Sequence, residues 1–281
     1  MRLPTCLNDA IALKINTLIE MSEELQDKTS QQPLKPMVLD YDDVCQVAPF
    51  FKGKEKLVNR LFHWLSVDKT NDFHRRNLHL SSPDFSHNIF EDVGATLTIR
   101  NEQALKNLPE GAFITVSNHP FGAIDGMALI DIMGHCRPDY KVMVNMILNK
   151  IGALRPSFIA VDALASNDPA KRAVSKLTWG MRIEDREWQP SVLRIIQKLK
   201  VPVLPIYFHG HNSWVFTALG MIDWRLRTLR LPTEVFNKKG YNFRVSIGDI
   251  ISPEEQAKYN TPEELGIFLK QQTYKMKKWQ Q

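Results

Sequence analysis

Apolar side chains recur along this chain first at helical spacing and then in strand-like runs. Leu7, Ala10, Ile11, Ile15, Leu18, Ile19 and Leu25 fall on one stripe and predict an amphipathic helix over residues 7 to 26, closed by a linker containing Pro33 and Pro36. A second helix is predicted from Lys54 to Val67. There Leu57, Val58, Leu61, Phe62 and Leu65 share a face, Lys52, Lys54, Lys56 and Arg60 surround it, and Trp64 lies at its border. Basic residues around an apolar, aromatic-edged face suit a helix lying on an anionic leaflet, and suit equally a helix covering a neighbouring core.

From Val93 the rhythm changes. Ala95, Leu97 and Ile99 alternate with Thr96, Thr98 and Arg100, which predicts a half-exposed strand. After a linker at Asn107 to Gly111, the run Ala112 to Val116 reads as a buried strand that passes through a tight turn into a helix ending near Gly134. Lys141 to Met146 and Phe158 to Asp162 read as strands, Pro190 to Leu199 as a helix, Val201 to Phe208 as a strand, and Tyr241 to Gly248 as an edge or half-buried strand. Ser252-Pro253-Glu254-Glu255 and Thr261-Pro262-Glu263-Glu264 each present a cap, a proline at the first helical position and an acid three residues after the cap, so two helices close the chain. Apolar strands alternating with helices predict an α/β fold: a single mixed, mostly buried sheet flanked by helices. Residues 1–90 form an N-terminal helical region and residues 91–281 the sheet domain.

Composition narrows the class. A chain of 281 residues that is 43% hydrophobic is long enough for one large α/β core. Cys6, Cys45 and Cys136 are odd in number and unpaired in spacing, so neither a disulfide framework nor a zinc site is indicated, and a reducing cytoplasmic setting fits. Asn8, Asp9, Lys14 and Glu20 interrupt any secretory signal, and no window offers the apolar length of a spanning helix. A formal net charge of +5 fits an anionic membrane surface or an acidic carrier protein. No nucleic-acid module accompanies it. Asp40-Tyr41-Asp42-Asp43 reads as a solvated acidic stretch without chemistry.

The candidate chemistry lies in Ser117 to Gly126, SNHPFGAIDG, at the end of the strand predicted over residues 112 to 116. His119 and Asp125 are six positions apart, a step of about 600° on a continuous helix, which would leave them on different faces. Pro120 and Gly122 lie between them and supply a non-helical turn that can bring Asp125 back to His119, with the helix proper starting near Gly122. Asp125 would then fix the imidazole tautomer, leaving the other nitrogen to take a proton from a hydroxyl. His63, His74, His79 and His87 have no ligand spacing and read as surface or core residues. His209 and His211 lack a neighbouring Asp, Glu or Cys at ligand spacing, so no metal is expected.

Asn118-His119-Pro120-Phe121-Gly122-Ala123-Ile124-Asp125-Gly126 resembles the first motif of the PlsC-like lysophospholipid and glycerolipid acyltransferases. The branch it resembles is the hemolysin-like bacterial one that includes the acyltransferases of glycine lipid synthesis. Val201-Pro202-Val203-Leu204-Pro205 resembles the family's late strand, and Phe158 to Asp162 its middle strand. The resemblance spans about Ile99 to Gly248. It implies a PlsC-like fold and an O-acyl transfer in which His119, oriented by Asp125, deprotonates an acceptor hydroxyl that attacks a thioester directly. It also implies substrate contacts at Asn118, Pro120, Phe121 and Gly122. The thioester of acyl carrier protein or acyl-CoA is then a co-substrate, and no cofactor is needed.

The family's F-P-[EA]-G motif, which helps to hold the acceptor head group, is absent from this chain. The stretch between Pro169 and Glu187 is too short for the helix and strand that carry it in relatives. Asp162 is followed by Ala163, where phosphatidate-forming relatives often have Arg. With those cationic positions empty, the acceptor is expected to be an N-acylated amino acid lipid, with Arg155, Lys171 and Arg172 as candidates to hold a carboxylate or phosphate. A 1-acylglycerol-3-phosphate acyltransferase is the alternative. A membrane-associated member that has lost acceptor binding is another, and a thioesterase a third. The enzyme is expected to be cytoplasmic and peripheral, at the inner face of the cytoplasmic membrane.

Overall fold

The computed structural model describes residues 34–161, 175–178, 182–185, 188–222 and 224–278. The helix expected over residues 7 to 26, Asp162, Lys171, Arg172 and most of the stretch between Pro169 and Glu187 lie outside the described residues. Within that last stretch an antiparallel pair, β5 (Ser175–Thr178) and β6 (Arg182–Asp185), is described.

Among the described residues four α-helices precede the first strand: α1 (Tyr41–Val47), α2 (Glu55–Trp64), α3 (Val67–Asn77) and α4 (Ser82–Val93). Asp40 and Asp43 are not idle. Asp40 caps α1, Asp43 reciprocates as a capping box, and Asp43 pairs with Lys150 at 2.8 Å. The helix expected to run on to Val67 stops at Trp64, because Ser66 takes a left-handed conformation (φ 58°) before α3 starts. Phe73 of α3 and Phe85, Ile89, Phe90 and Val93 of α4 enter the main core, so this part of the chain is packed on the sheet.

Among the described residues the main sheet has four strands in the order β1 (Thr96–Arg100), β8 (Asn242–Ile247), β7 (Val203–His209), β2 (Ile114–Ser117). β1 is parallel to β8, β8 antiparallel to β7, and β7 parallel to β2, with Ile114 opposite Val203. The sheet is therefore mixed, as expected. Of the two readings the sequence left for β8, half-buried holds and edge does not, since it lies inside the sheet; among the described residues β2, the strand that leads to His119, is an edge. β3 (Val142–Asn145) and β4 (Phe158–Val161) form a separate parallel pair.

β7 is buried along its whole length because both faces are covered. Leu204, Ile206 and Phe208 join the core built with α4 and with α5 (Ala123–Cys136). On the opposite face Val203 and Val116 meet Leu193 and Ile196 of α6 (Pro190–Leu199) and Leu265, Phe268 and Leu269 of α10 (Pro262–Lys275). The bounds of α6 are those the sequence predicts. Between β7 and β8 run α7 (Trp214–Ile222) and α8 (Trp224–Phe236), and a short α9 (Pro253–Gln256) follows β8. The caps read from sequence are present: Ser252 accepts from the Glu255 amide, and Thr261 and Glu264 form a capping box.

Candidate active site

β2 ends at Ser117, and the next residue extends its pairing by other means. Asn118 is buried, donates from Nδ2 to the Phe208 carbonyl (2.8 Å) and accepts at Oδ1 from the Phe208 amide (2.7 Å). A side-chain amide thus completes the ladder while the backbone turns away. His119 follows at the mouth of that turn.

Gly122 is the N-cap of α5 at φ 71° and ψ −114°, a conformation that an L side chain adopts only with strain. A Cβ there would also lie 2.8 Å from Leu231 Cδ2. The turn aims the amides of Phe121 (2.9 Å) and Gly122 (3.0 Å) at Asp125 Oδ2, in the first turn of α5. The same oxygen receives His119 Nδ1 at 3.0 Å. The residues that the sequence separates by six positions are therefore in contact. A carboxylate only accepts, so Nδ1 carries the hydrogen and Nε2 is the basic nitrogen of the neutral ring.

The two partners sit in different media. The Asp125 side chain is 1% exposed and that of His119 43%. Burial raises the Asp125 carboxyl above the ordinary carboxylate range, against the His119 ring and the two amides, which favour the charged form. The N-terminus of α5 adds its partial positive charge on the same side. An anchored acid and a ring that reaches solvent make an arrangement able to accept and return one proton at Nε2.

The other expected contacts divide. Phe121 is a core residue, edge-on to Phe243 (5.0 Å between centroids) and Tyr241 (5.8 Å). Asn118 is buried against β7, Pro120 is half-buried and Gly122 shapes the turn. Arg155 lies in the turn before β4, where its Nε donates to the Asn149 carbonyl at 2.6 Å and burial lowers its pKa. His209, which H-x-H spacing offers as a metal ligand, is buried and its Nε2 contacts Ser246 Oγ at 2.7 Å.

Three supporting residues escape a sequence reading. Asn212 is buried and donates from Nδ2 to the Phe121 carbonyl at 2.9 Å, fixing the turn from the β7 side. Glu234 of α8 accepts from the Ser213 amide at 3.0 Å. Lys238 places its ammonium over the rings of Phe121 (5.1 Å) and Tyr241 (5.0 Å). Burial lowers the Lys238 pKa, while the charges of Glu234 and Asp125 act to raise it. Gly210, at φ 109° just beyond β7, is the one local signal that the loop carrying Asn212 has a special path.

A lyso-glycine lipid O-acyltransferase of Phocaeicola vulgatus is 28% identical over 249 residues, covering 78% of this chain and 87% of that protein. Its namesake in Bacteroides thetaiotaomicron is 26% identical over 238 residues, covering 74% and 85%. Among solved structures, the 1-acyl-sn-glycerophosphate acyltransferase PlsC of Thermotoga maritima aligns with 82% of this chain and 99% of its own. Its identity is 12% and its TM-score 0.40, a superposition too loose to transfer detail. The model of the family described as Acyltransferase matches residues 56–280, most of the length and all of the site, and the chain belongs to that acyltransferase family.

Proposed function

We propose that this acyltransferase moves a fatty acyl group from a thioester, carried by acyl carrier protein or CoA, to the hydroxyl of a lyso-lipid whose polar part is an N-acylated amino acid. The observation that carries the reading is the 3.0 Å contact between His119 Nδ1 and the buried Asp125, with the ring half-exposed at a strand end. Nε2 takes the acceptor's proton as its oxygen forms a bond to the thioester carbonyl carbon. When the C–S bond breaks, the same proton passes to the departing thiolate, so one imidazole serves both halves of the transfer. General base catalysis of this type contributes about 10²–10⁴-fold, and positioning of donor and acceptor supplies much of the remainder.

The acceptor class is supported by the names of the two relatives, both lyso-glycine lipid O-acyltransferases, and by the missing F-P-[EA]-G segment. Arg155, Lys171 and Arg172 are the cationic candidates for the acceptor's carboxylate. The enzyme works at the inner face of the cytoplasmic membrane, bound peripherally. Val47, Phe50, Leu57 and Trp64 are exposed around α2 beside Lys52, Lys54, Lys56 and Arg60, which suits a lipid-facing surface. Among the described residues no helix is long and apolar enough to cross a membrane.

The test is transfer from labelled acyl carrier protein or acyl-CoA to an N-acylated glycine lyso-lipid, with lysophosphatidate in parallel. Product on the glycine acceptor, reduced about 10²–10⁴-fold in His119→Ala, is expected. Transfer to lysophosphatidate alone would move the chain to phospholipid synthesis. Transfer to neither would mean that acceptor binding went with the absent motif.

A further inference from the structure

α7 reads WVFTALGMI and carries no charge on any side, yet none of its residues is buried. A helix that is apolar all round belongs in a core or in lipid. Trp214 is 78% exposed, Ile222 75% and Met221 61%, so neither end of the helix is covered. We infer that the α7–α8 hairpin is a membrane-dipping element whose occupant is the surface of an anionic bilayer. This rests on the lipid-acceptor reading above and adds to it the route by which the lipid reaches His119.

Two observations select lipid, and a third shows that the two helices move as one unit. First, α7 is about 13 Å long at 1.5 Å per residue, against about 30 Å of hydrocarbon, so it enters one leaflet without crossing. Second, the partner helix is net cationic: α8 holds Arg225, Arg227 and Arg230 against one acid, Glu234, which pairs with Arg230 at 3.5 Å and leaves the excess positive charge at the end next to α7. Arg227 lies over the Phe216 ring at 5.7 Å, keeping a guanidinium on the apolar helix where head-group phosphates would meet it. Third, a Cβ at Gly220 would lie 2.8 Å from Arg227 Cδ, so the glycine lets the two helices close into one unit.

The hairpin is fastened to the chemistry at its base. Asn212 and Ser213, immediately before α7, bond the Phe121 carbonyl and Glu234, and Leu231 of α8 packs at Gly122. Insertion of α7 therefore sets the height of the His119 turn above the membrane. A lyso-lipid with its chain still in the leaflet can then present its hydroxyl to Nε2 without leaving the bilayer.

The full chain carrying Trp214→Gln, Met221→Gln and Ile222→Gln together tests this, because all three side chains are exposed and their loss leaves the core intact. Flotation with phosphatidylglycerol vesicles, with phosphatidylcholine vesicles as the neutral arm, should show affinity for the anionic vesicles falling about tenfold or more. Transfer to a vesicle-embedded acceptor should fall in parallel, while transfer to the same acceptor dispersed in detergent stays at the wild-type rate. Equal flotation of variant and wild type overturns the inference, whatever the transfer assays give. A dimer by light scattering that dissociates in the variant with flotation unchanged also overturns it, assigning α7 to a second copy of the chain. Failure of the wild type to acylate either acceptor in detergent sinks the acceptor reading alone, since flotation is measured without substrate.

Discussion

Both amide atoms of Asn118 are bound to the backbone of one residue, Phe208, which makes the side chain a continuation of the sheet. Asn118→Ala leaves a buried carbonyl and a buried amide without partners at the point where the chain turns toward His119. Each unsatisfied group costs about 1–3 kcal/mol, so a loss of about 3 kcal/mol in denaturant unfolding is expected. Asn118→Asp should cost a similar amount, because it removes the donor while placing a charge against the Phe208 carbonyl. A variant as stable as wild type would mean that these two bonds do not hold the turn.

Gly122 gives a prediction with two separable parts. Gly122→Ala meets a torsional cost from the positive φ, of order 1–3 kcal/mol, and a steric one from Leu231 Cδ2. Leu231→Ala in the same chain removes the second and not the first. Measured as a double-mutant cycle, the pair should be less destabilised than the sum of the singles, yet still below Leu231→Ala alone. Additive effects would mean that Leu231 does not press on the turn.

What the sequence disclosed follows from how local each signal is. The caps at Ser252 and Thr261, the bounds of α6 and the return of Asp125 to His119 are all set within a few residues, and each is legible. α3 is not, because VDKTNDFHRRN is mostly polar and only Val67, Phe73, His74 and Asn77 turn inward. α7 escapes for the opposite reason: with apolar residues on every side it shows no period at all. Strand order is non-local, so the edge position of β2 and the interior position of β8 could not be read from their patterns. Asn212 and Lys238 reach the site from β7 and from the end of α8, and nothing near them in sequence marks a partner some 90 to 120 positions earlier.

Two buried histidines should make the fold acid-labile. His74 accepts the Gly152 amide at Nε2 (3.0 Å) and donates from Nδ1 to the Pro36 carbonyl (3.2 Å), an arrangement open only to the neutral ring, and burial lowers its pKa. His209 is lowered to about 4 by burial first and then by Arg100 and Arg244. At His209 the unfolded chain takes up the proton near pH 6.5 and the folded chain only near 4, so its stability contribution is full above 6.5 and falls as pH drops through that window, and His74 acts in the same direction. For His209 the loss amounts to about 3 kcal/mol. Unfolding free energies measured between pH 7 and 4 should therefore decline more shallowly in His209→Asn than in wild type. Parallel curves would place the acid sensitivity elsewhere.

Lys238 supplies the last prediction, because its ammonium is held over Phe121 and Tyr241 close enough to feel the charge of Asp125. A cation there favours the ionised carboxylate and opposes a second positive charge on the neighbouring imidazole. Lys238→Met keeps an unbranched chain between the two rings and removes the charge. The acid limb of kcat/KM, where the base becomes protonated, should then move to higher pH, because Asp125 holds an imidazolium more strongly without the competing cation. Lys238→Arg should bring the limb back toward the wild-type position. Lys238→Met that lowers the rate at every pH while leaving the limb in place would reduce Lys238 to a packing residue, and the charge balance around His119 would have to come from the two amides and the N-terminus of α5.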